Sequence, residues 1–390
     1  MKIGKCARLL LAVTPVLAGC GNFWQAPSSS STGTTSTSLS SGYFYVLNQA
    51  TSQIVAYDIV SGALTQIAAY TLSAAPTAIA IAPGGSFLYV STVAGIYLYD
   101  INSNGALTIG NNGGVVSSDP ASSIAVDPSG AWLVDGVQGT SGFQLDATPI
   151  TSSGTFTGGS VATRQYALTN ASVRQMAISD DGLHVFVAAG TGGAVVVPFS
   201  SGQSAPLGAT GIVIAPVTSG GSALSVAVDP SLTPRLFYVG ETLASGGSTG
   251  GLRVFNYSSL GGTLTQVSGS PFPSGGTAPN AILPLSSGDY VYVANGGTGL
   301  TAAGNITGFA ITASNSTYTV ATGSTVSAGI QPYGMAEDSD SNFVLAASQG
   351  GSFDLEAYVF DTTTAGKLDV AVTSSTGTDP TQAIAVAAAP

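Results

Sequence analysis

One stretch, Pro76 to Thr108, constrains the chain more than any other, because it repeats. Ile79-Ala80-Ile81 is a short apolar run, and Ala82-Pro83-Gly84-Gly85 is a turn cluster in which Pro fixes φ and Gly supplies positive φ. Phe87-Leu88-Tyr89-Val90 has the aromatic and β-branched composition of a packed strand. Ile96 to Tyr99 gives a third strand, and Ala106-Leu107-Thr108 opens a fourth after a turn at Asn102 to Gly105. No stretch has helical spacing, so the module reads as an antiparallel meander of four strands. Its second-strand anchors recur at Tyr45-Val46, Tyr89-Val90, Leu133-Val134, Phe186-Val187, Tyr238-Val239, Tyr292-Val293 and Val344-Leu345, with spacings of 44, 44, 53, 52, 54 and 52 residues. The first-strand anchors are Ile79-Ala80-Ile81, Ile124-Ala125-Val126, Met176-Ala177-Ile178, Val226-Ala227-Val228, Ile282-Leu283-Pro284, Met335-Ala336-Glu337 and Ile384-Ala385-Val386.

A period of about 40–50 residues with four strands per unit is the signature of a β-propeller blade. The expected fold is therefore all-β: a seven-bladed β-propeller of four-stranded antiparallel blades over residues 42–390. First strands lie nearest the axis of such a ring, where wedge-shaped blades crowd both faces, and a small residue between two large ones suits the wedge. Pro284 breaks the pattern and predicts a short or irregular inner strand, since Pro donates nothing to a ladder. The repeats start on a second strand at Tyr43 and end on a first strand at Ala383 to Val386. The C-terminal strand is thus expected to complete the N-terminal blade, closing the ring and removing a free sheet edge.

Ahead of the repeats lies an address. Lys2, Lys5 and Arg8 precede an apolar run from Leu9 to Leu17, and Leu17-Ala18-Gly19-Cys20 resembles the bacterial lipobox. The resemblance implies a signal peptide over residues 1–19 and a lipidated Cys20. The apolar run is shorter than the roughly 20 residues that span a bilayer. Cys6 leaves with the signal, so no disulfide is expected. Residues 20–41 carry the lipid and a Ser/Thr/Gly-rich linker expected to be disordered, with a reach on the order of 25 Å. Gly21 stands where an Asp is linked to inner-membrane retention, which points to the outer membrane.

Charged residues make up 7% of the chain, against roughly 25% in ordinary soluble domains. Once the signal is gone, five basic residues face 19 acidic ones, a balance of −14. Such a surface repels phosphate backbones and argues against nucleic-acid partners.

The stretches YVSTVAGIYLYDINSNGALT and FYVLNQATSQIVAYDIVSGALT resemble the YVTN/lactonase-type seven-bladed propellers, over residues 42–390. Tyr292-Val293-Ala294-Asn295 and Ser179-Asp180-Asp181-Gly182 are its closest local matches. That family includes 6-phosphogluconolactonases, muconate cycloisomerases and secreted propellers without a settled role. The resemblance implies polar residues, among them His, Arg and Glu, at the mouth of a central channel.

The chain has a single His, His184, at the start of a second strand on the face away from that mouth, so it is expected to be structural. The mouth is expected to combine residues just before inner strands with residues just after the second-strand anchors. The first set is Thr77, Arg174, Gln175, Asn280, Tyr333, Thr381 and Gln382; the second is Asn48, Gln49, Gln138, Glu241, Asn295 and Gln349. The candidate ligand-binding residues are Asn48, Arg174, Gln175, Glu241, Asn280, Asn295, Tyr333 and Gln382. Only Arg174 and Glu241 among them are charged, which is too few cations for a phosphorylated substrate. Asp127, Asp180, Asp229 and Glu337-Asp338 follow inner strands and are expected to start turns rather than bind a metal. No cofactor is expected. The expected function is a lipid-anchored, monomeric module that binds a glycan, peptide or envelope protein without catalysis. The alternative is a lactonase whose pocket converges on Arg174 and Glu241.

Overall fold

Runs rich in Val, Ile, Tyr and Phe, each bounded by Gly, Pro, Asn or Asp, leave no window long enough for a helix of any length. The computed structural model describes residues 40–60, 63–139, 142–157, 164–168, 172–258, 263–298, 301–314, 317–351, 353–374 and 383–389, and these are built from antiparallel strands. Helical geometry among them is confined to one 3-10 turn, Asn111–Gly113. The address, Cys20, most of the linker, Thr381 and Gln382 lie outside the described residues.

The repeats fold as meanders. Pro76–Ile81, Phe87–Thr92, Gly95–Ile101 and Leu107–Ile109 form one four-stranded sheet in chain order. Ala121–Val126, Trp132–Gly139, Gly142–Pro149 and Arg164–Leu168 form the next, and Gln175–Ile178, His184–Ala188, Ala194–Pro198 and Ile212–Ile214 the third. Ala223–Val228, Arg235–Ser245, Thr249–Ser258 and Thr263–Gln266 follow, with the short Phe272–Pro273 added beside the third strand. The next two repeats share one seven-stranded sheet. Their link is the 21-residue strand Thr317–Glu337, whose first part pairs with Ala303–Ser314 and whose last part, from Ile330, pairs with Phe343–Gly350. The last strand, Ala383–Ala389, pairs with Ser40–Asn48, which continues into Gln53–Val60 and Ala63–Thr71.

Register explains the large-small-large pattern more directly than crowding does. The central Ala lies opposite the bulky second-strand anchor: Ala80 opposite Tyr89, Ala177 opposite Phe186, Ala227 opposite Tyr238. By the same register the C-terminal triad is Val386-Ala387-Ala388, with Ala387 opposite Tyr45, two residues beyond the Ile384-Ala385-Val386 read from sequence. Pro284 neither shortens nor interrupts its strand, which runs seven residues from Ala278 to Pro284. Pro284 faces Val291, and the ladder bond is made one step on, from the Leu285 N–H to the Tyr290 carbonyl at 2.9 Å. Its missing N–H would have pointed away from the partner strand, so nothing is lost.

The core sits between sheets. Seven buried apolar clusters occur among the described residues, and each joins two repeats that are consecutive in the chain or, in one case, the last and the first. Tyr45 and Leu47 meet Leu88 and Val90 in one; Phe186 and Val196 meet Phe237 and Phe255 in another. Leu345 and Leu355 of the seventh repeat meet Phe44 and Val55 of the first. Side chains of this size stabilise by roughly 1.5–3 kcal/mol each when fully buried.

Candidate functional site

The first strands of the repeats surround one cavity of 630 Å³. Its shape follows from a recurrent slip in their ladders. Register shifts lie between Pro76 and Ala78, Ala121 and Ser123, Ala223 and Ser225, Pro279 and Ala281, and Pro332 and Gly334. Another skips Ile384, where Ala383 and Ala385 pair with Asn48 and Leu47. Each leaves one extra residue without a partner: Thr77, Ser122, Leu224, Asn280, Tyr333 and Ile384. A bulge of this kind re-aims a side chain, and all six line the cavity. Arg174 takes the corresponding place in the remaining repeat, two residues before Met176, with its N–H donated to the Ala188 carbonyl at 2.9 Å. Two residues further along the strands, about 6.6–6.8 Å deeper, the lining is wholly apolar: Ile79, Ile124, Met176, Ile282, Met335 and Val386.

Most polar groups at the mouth are committed to holding neighbouring strands together. Thr77 Oγ1 donates to the Ala121 carbonyl at 2.7 Å, Ser122 Oγ to the Val173 carbonyl at 2.8 Å, and Gln49 Nε2 to the Pro76 carbonyl at 3.2 Å. Asn280 Nδ2 donates to the Pro332 carbonyl and to Gln331 Oε1, both at 3.2 Å, and Gln175 Oε1 accepts the Val226 N–H at 3.2 Å. Arg174 and Tyr333 differ. Both are exposed and line the cavity, and neither side chain has a hydrogen bond or ion pair to the described residues. The other cations with described side chains are paired: Arg235 with Asp180 and Asp181, Arg253 with Glu241, Lys367 with Asp361 and Asp369.

Of the eight candidates from sequence, Arg174, Gln175, Asn280 and Tyr333 line the cavity. Asn48, Glu241 and Asn295 do not; each is fully or almost fully buried one strand further out. Asn48 Oδ1 accepts the Thr51 N–H at 3.1 Å, and Asn295 Nδ2 donates to the Ser274 carbonyl at 2.6 Å. Glu241 accepts from Arg253 Nη1 at 3.1 Å and from the Val217 N–H. The expected convergence of Arg174 and Glu241 is therefore absent. Gln382 lies outside the described residues. Sequence reasoning missed Ser122, Leu224, Ile384 and Gln331 as lining residues. The usable signal was positional: the residue two before each inner anchor, whatever its chemistry.

His184 and the acids that follow the inner strands have structural partners. His184 is buried, with Nδ1 against the Tyr257 hydroxyl and its ring edge-on to that phenol at 5.2 Å. Burial holds its pKa below the usual histidine value. Asp127 Oδ1 accepts the Trp132 N–H at 2.6 Å, Asp229 Oδ1 the Ser231 N–H at 2.9 Å, and Asp338 Oδ1 the Asn342 N–H at 2.7 Å, so each carboxylate stabilises its own turn. Burial pushes the Asp338 carboxyl up to about 6. No group of three or more potential metal ligands gathers among the described residues.

No protein-family model matches the chain, and no curated protein matches it. Solved structures do. A candidate 6-phosphogluconolactonase from Bacteroides fragilis superposes with a TM-score of 0.68 at 13% identity, covering 92% of this chain and 100% of that one. The periplasmic gluconolactonase of Pseudomonas aeruginosa gives 0.65 at 16% identity, covering 90% and 99%. The propeller of Dos1 gives 0.52 at 10% identity, covering 78% and 73%. The fold is all-β and resembles that of lactonase-type β-propellers. At such identities the likeness is one of architecture and carries no activity.

Proposed function

We propose that the chain is a seven-bladed propeller, closed by its C-terminal strand, that is lipid-anchored at Cys20 in a bacterial cell envelope and binds a ligand at the mouth of its channel without turning it over. Ring closure is supported by the pairing of Ala383–Ala389 with the N-terminal sheet and by the apolar cluster joining the seventh repeat to the first. The anchor, and an outer-membrane address, rest on the lipobox resemblance and on Gly21.

One observation carries the binding reading. Among the described residues, the cavity lining holds one uncommitted cation, Arg174, and one uncommitted phenol, Tyr333, and no carboxylate, imidazole or thiol. Opening a lactone with water needs a group to take up a proton, and geometry must first bring one within reach. A lactonase is the second reading, favoured by the periplasmic gluconolactonase that shares the fold. A phosphorylated lactone fits less well, since a single Arg leaves most of the phosphate charge unmatched.

Thermal-shift screening of the full chain against neutral and anionic metabolites tests the site. The expected hits are lost on Arg174→Gln or weakened on Tyr333→Ala. Hits indifferent to both would put the binding site elsewhere. Radiolabelled palmitate tests the anchor: label is expected on the chain and absent from Cys20→Ala.

A further inference from the structure

The cavity is chemically two-layered. Among the described residues, the outer layer carries one unpaired positive charge, on Arg174. The layer beneath it consists only of Ile, Met and Val side chains. A hydroxylated ligand carried to that depth would leave water without replacing its hydrogen bonds, which is costly, because that layer offers no polar side chain and Thr77, Ser122 and Asn280 above it already donate to neighbouring strands. An alkyl chain gains free energy there instead. A single anionic group matches Arg174, whose planar guanidinium receives a carboxylate through two parallel hydrogen bonds. No carboxylate lies within 4.0 Å of Arg174 among the described residues, so none of them competes for it.

Resting on the reading of the mouth as a binding site, we infer that its ligand is a small aliphatic monoacid, held with its carboxylate on Arg174 and its chain against the apolar layer formed by Ile79, Ile124, Met176, Ile282, Met335 and Val386. Tyr333, at 38% exposure, flanks the entry and covers the first carbons of the chain.

Isothermal titration of the full chain in detergent with butanoate, hexanoate and octanoate tests this. Arg174→Gln in the same detergent serves as the reference, so uptake into micelles subtracts. The expected dissociation constant falls about threefold to fourfold for each added methylene. Arg174→Gln weakens every acid at least tenfold and leaves octanol unchanged. Met176→Gln flattens the chain-length series while keeping the dependence on Arg174. D-gluconate has the same charge as hexanoate but carries hydroxyls. Gluconate binding as tightly as hexanoate, with loss in Arg174→Gln, would overturn the aliphatic class and leave the binding site standing. Binding of no acid at all, gluconate included, would overturn both. Acid binding with no chain-length dependence would overturn the inferred seat of the chain.

Discussion

At the scale of single residues, the Tyr of the second strand and the Gly before the fourth strand belong to one device. Tyr45, Tyr89 and Tyr292 donate their hydroxyls to the carbonyls of Gly105, Gly154 and Gly366 in the following repeat, at 3.0, 2.7 and 3.0 Å. The three glycines have φ of 74°, 77° and 72°, a left-handed conformation that turns the carbonyl toward the neighbour. At Gly105 a Cβ would also meet the Tyr43 ring at 2.3 Å. Trp132 Nε1 makes the same kind of link, to the Ser201 carbonyl at 2.9 Å, where the anchor is Leu133. Tyr89→Phe leaves a carbonyl without its donor, and the expected loss is about 1–3 kcal/mol by chemical denaturation. Both motifs were visible in the sequence; that one bonds to the other was not, because the contact crosses between repeats. Asp135 has a different balance. It is buried opposite Asp146 on the adjacent strand, and one of its oxygens has no partner. Burial first, and the Asp146 charge second, push its carboxyl well above the usual value. The unfolded chain ionises it near 3.8 and the folded chain only at higher pH, so its contribution is fully present below the unfolded pKa and is lost as pH rises through the folded one. Asp135→Asn is therefore expected to raise the melting temperature at pH 7 relative to the parent and to lose that advantage near pH 3. A variant equally destabilised at both pH values would contradict the assignment.

At the scale of elements, the bulge decides what reaches the cavity. The inner strands were legible from their apolar triads, and so were seven of the residues at the mouth, Gln49, Thr77 and Gln349 beside the four candidates that line the cavity. The slip two residues before each triad was not, because it is set by pairing with the second strand and leaves no compositional mark: the bulged residues are Thr, Ser, Leu, Asn, Tyr and Ile. Glu241 shows the converse error. It follows the Tyr238-Val239 anchor, as a mouth residue would, yet it lies inside the 11-residue strand Arg235–Ser245 and pairs across it with Arg253 on Thr249–Ser258. Arg253 also donates to the Ala215 carbonyl at 2.8 Å and stacks on Phe255 at 5.1 Å. Removing one member leaves the other charge buried, so Glu241→Gln is expected to cost about 3–5 kcal/mol in equilibrium unfolding. Replacing both residues by Leu and Met should recover most of that. Recovery of ligand binding, rather than of stability, would instead return Glu241 to the site.

At the scale of the whole molecule, stability is held in the seven clusters between repeats, and the C-terminal strand secures the one that joins the ends of the chain. Alanine fills five of its seven positions, so its own side chains add little packing. Its contribution is the ladder to Tyr43–Asn48, which leaves that edge covered. Deleting residues 383–390 is expected to lower the melting temperature by more than any single substitution above and to cause association on size exclusion. An unchanged melting temperature would mean that the ends are not joined. The low charge and the abundance of Ser, Thr and Gly were evident from composition, and they set what the proposed ring presents: polar turns to solvent and, among the described residues, one unpaired cation to the cavity. Lactone opening by the full chain, measured against buffer for sugar and aliphatic lactones, tests that account most directly. The expected rates equal spontaneous hydrolysis for every lactone, in the parent and in Arg174→Gln alike. Turnover above buffer that disappears in Arg174→Gln would contradict it and make the channel mouth an active site.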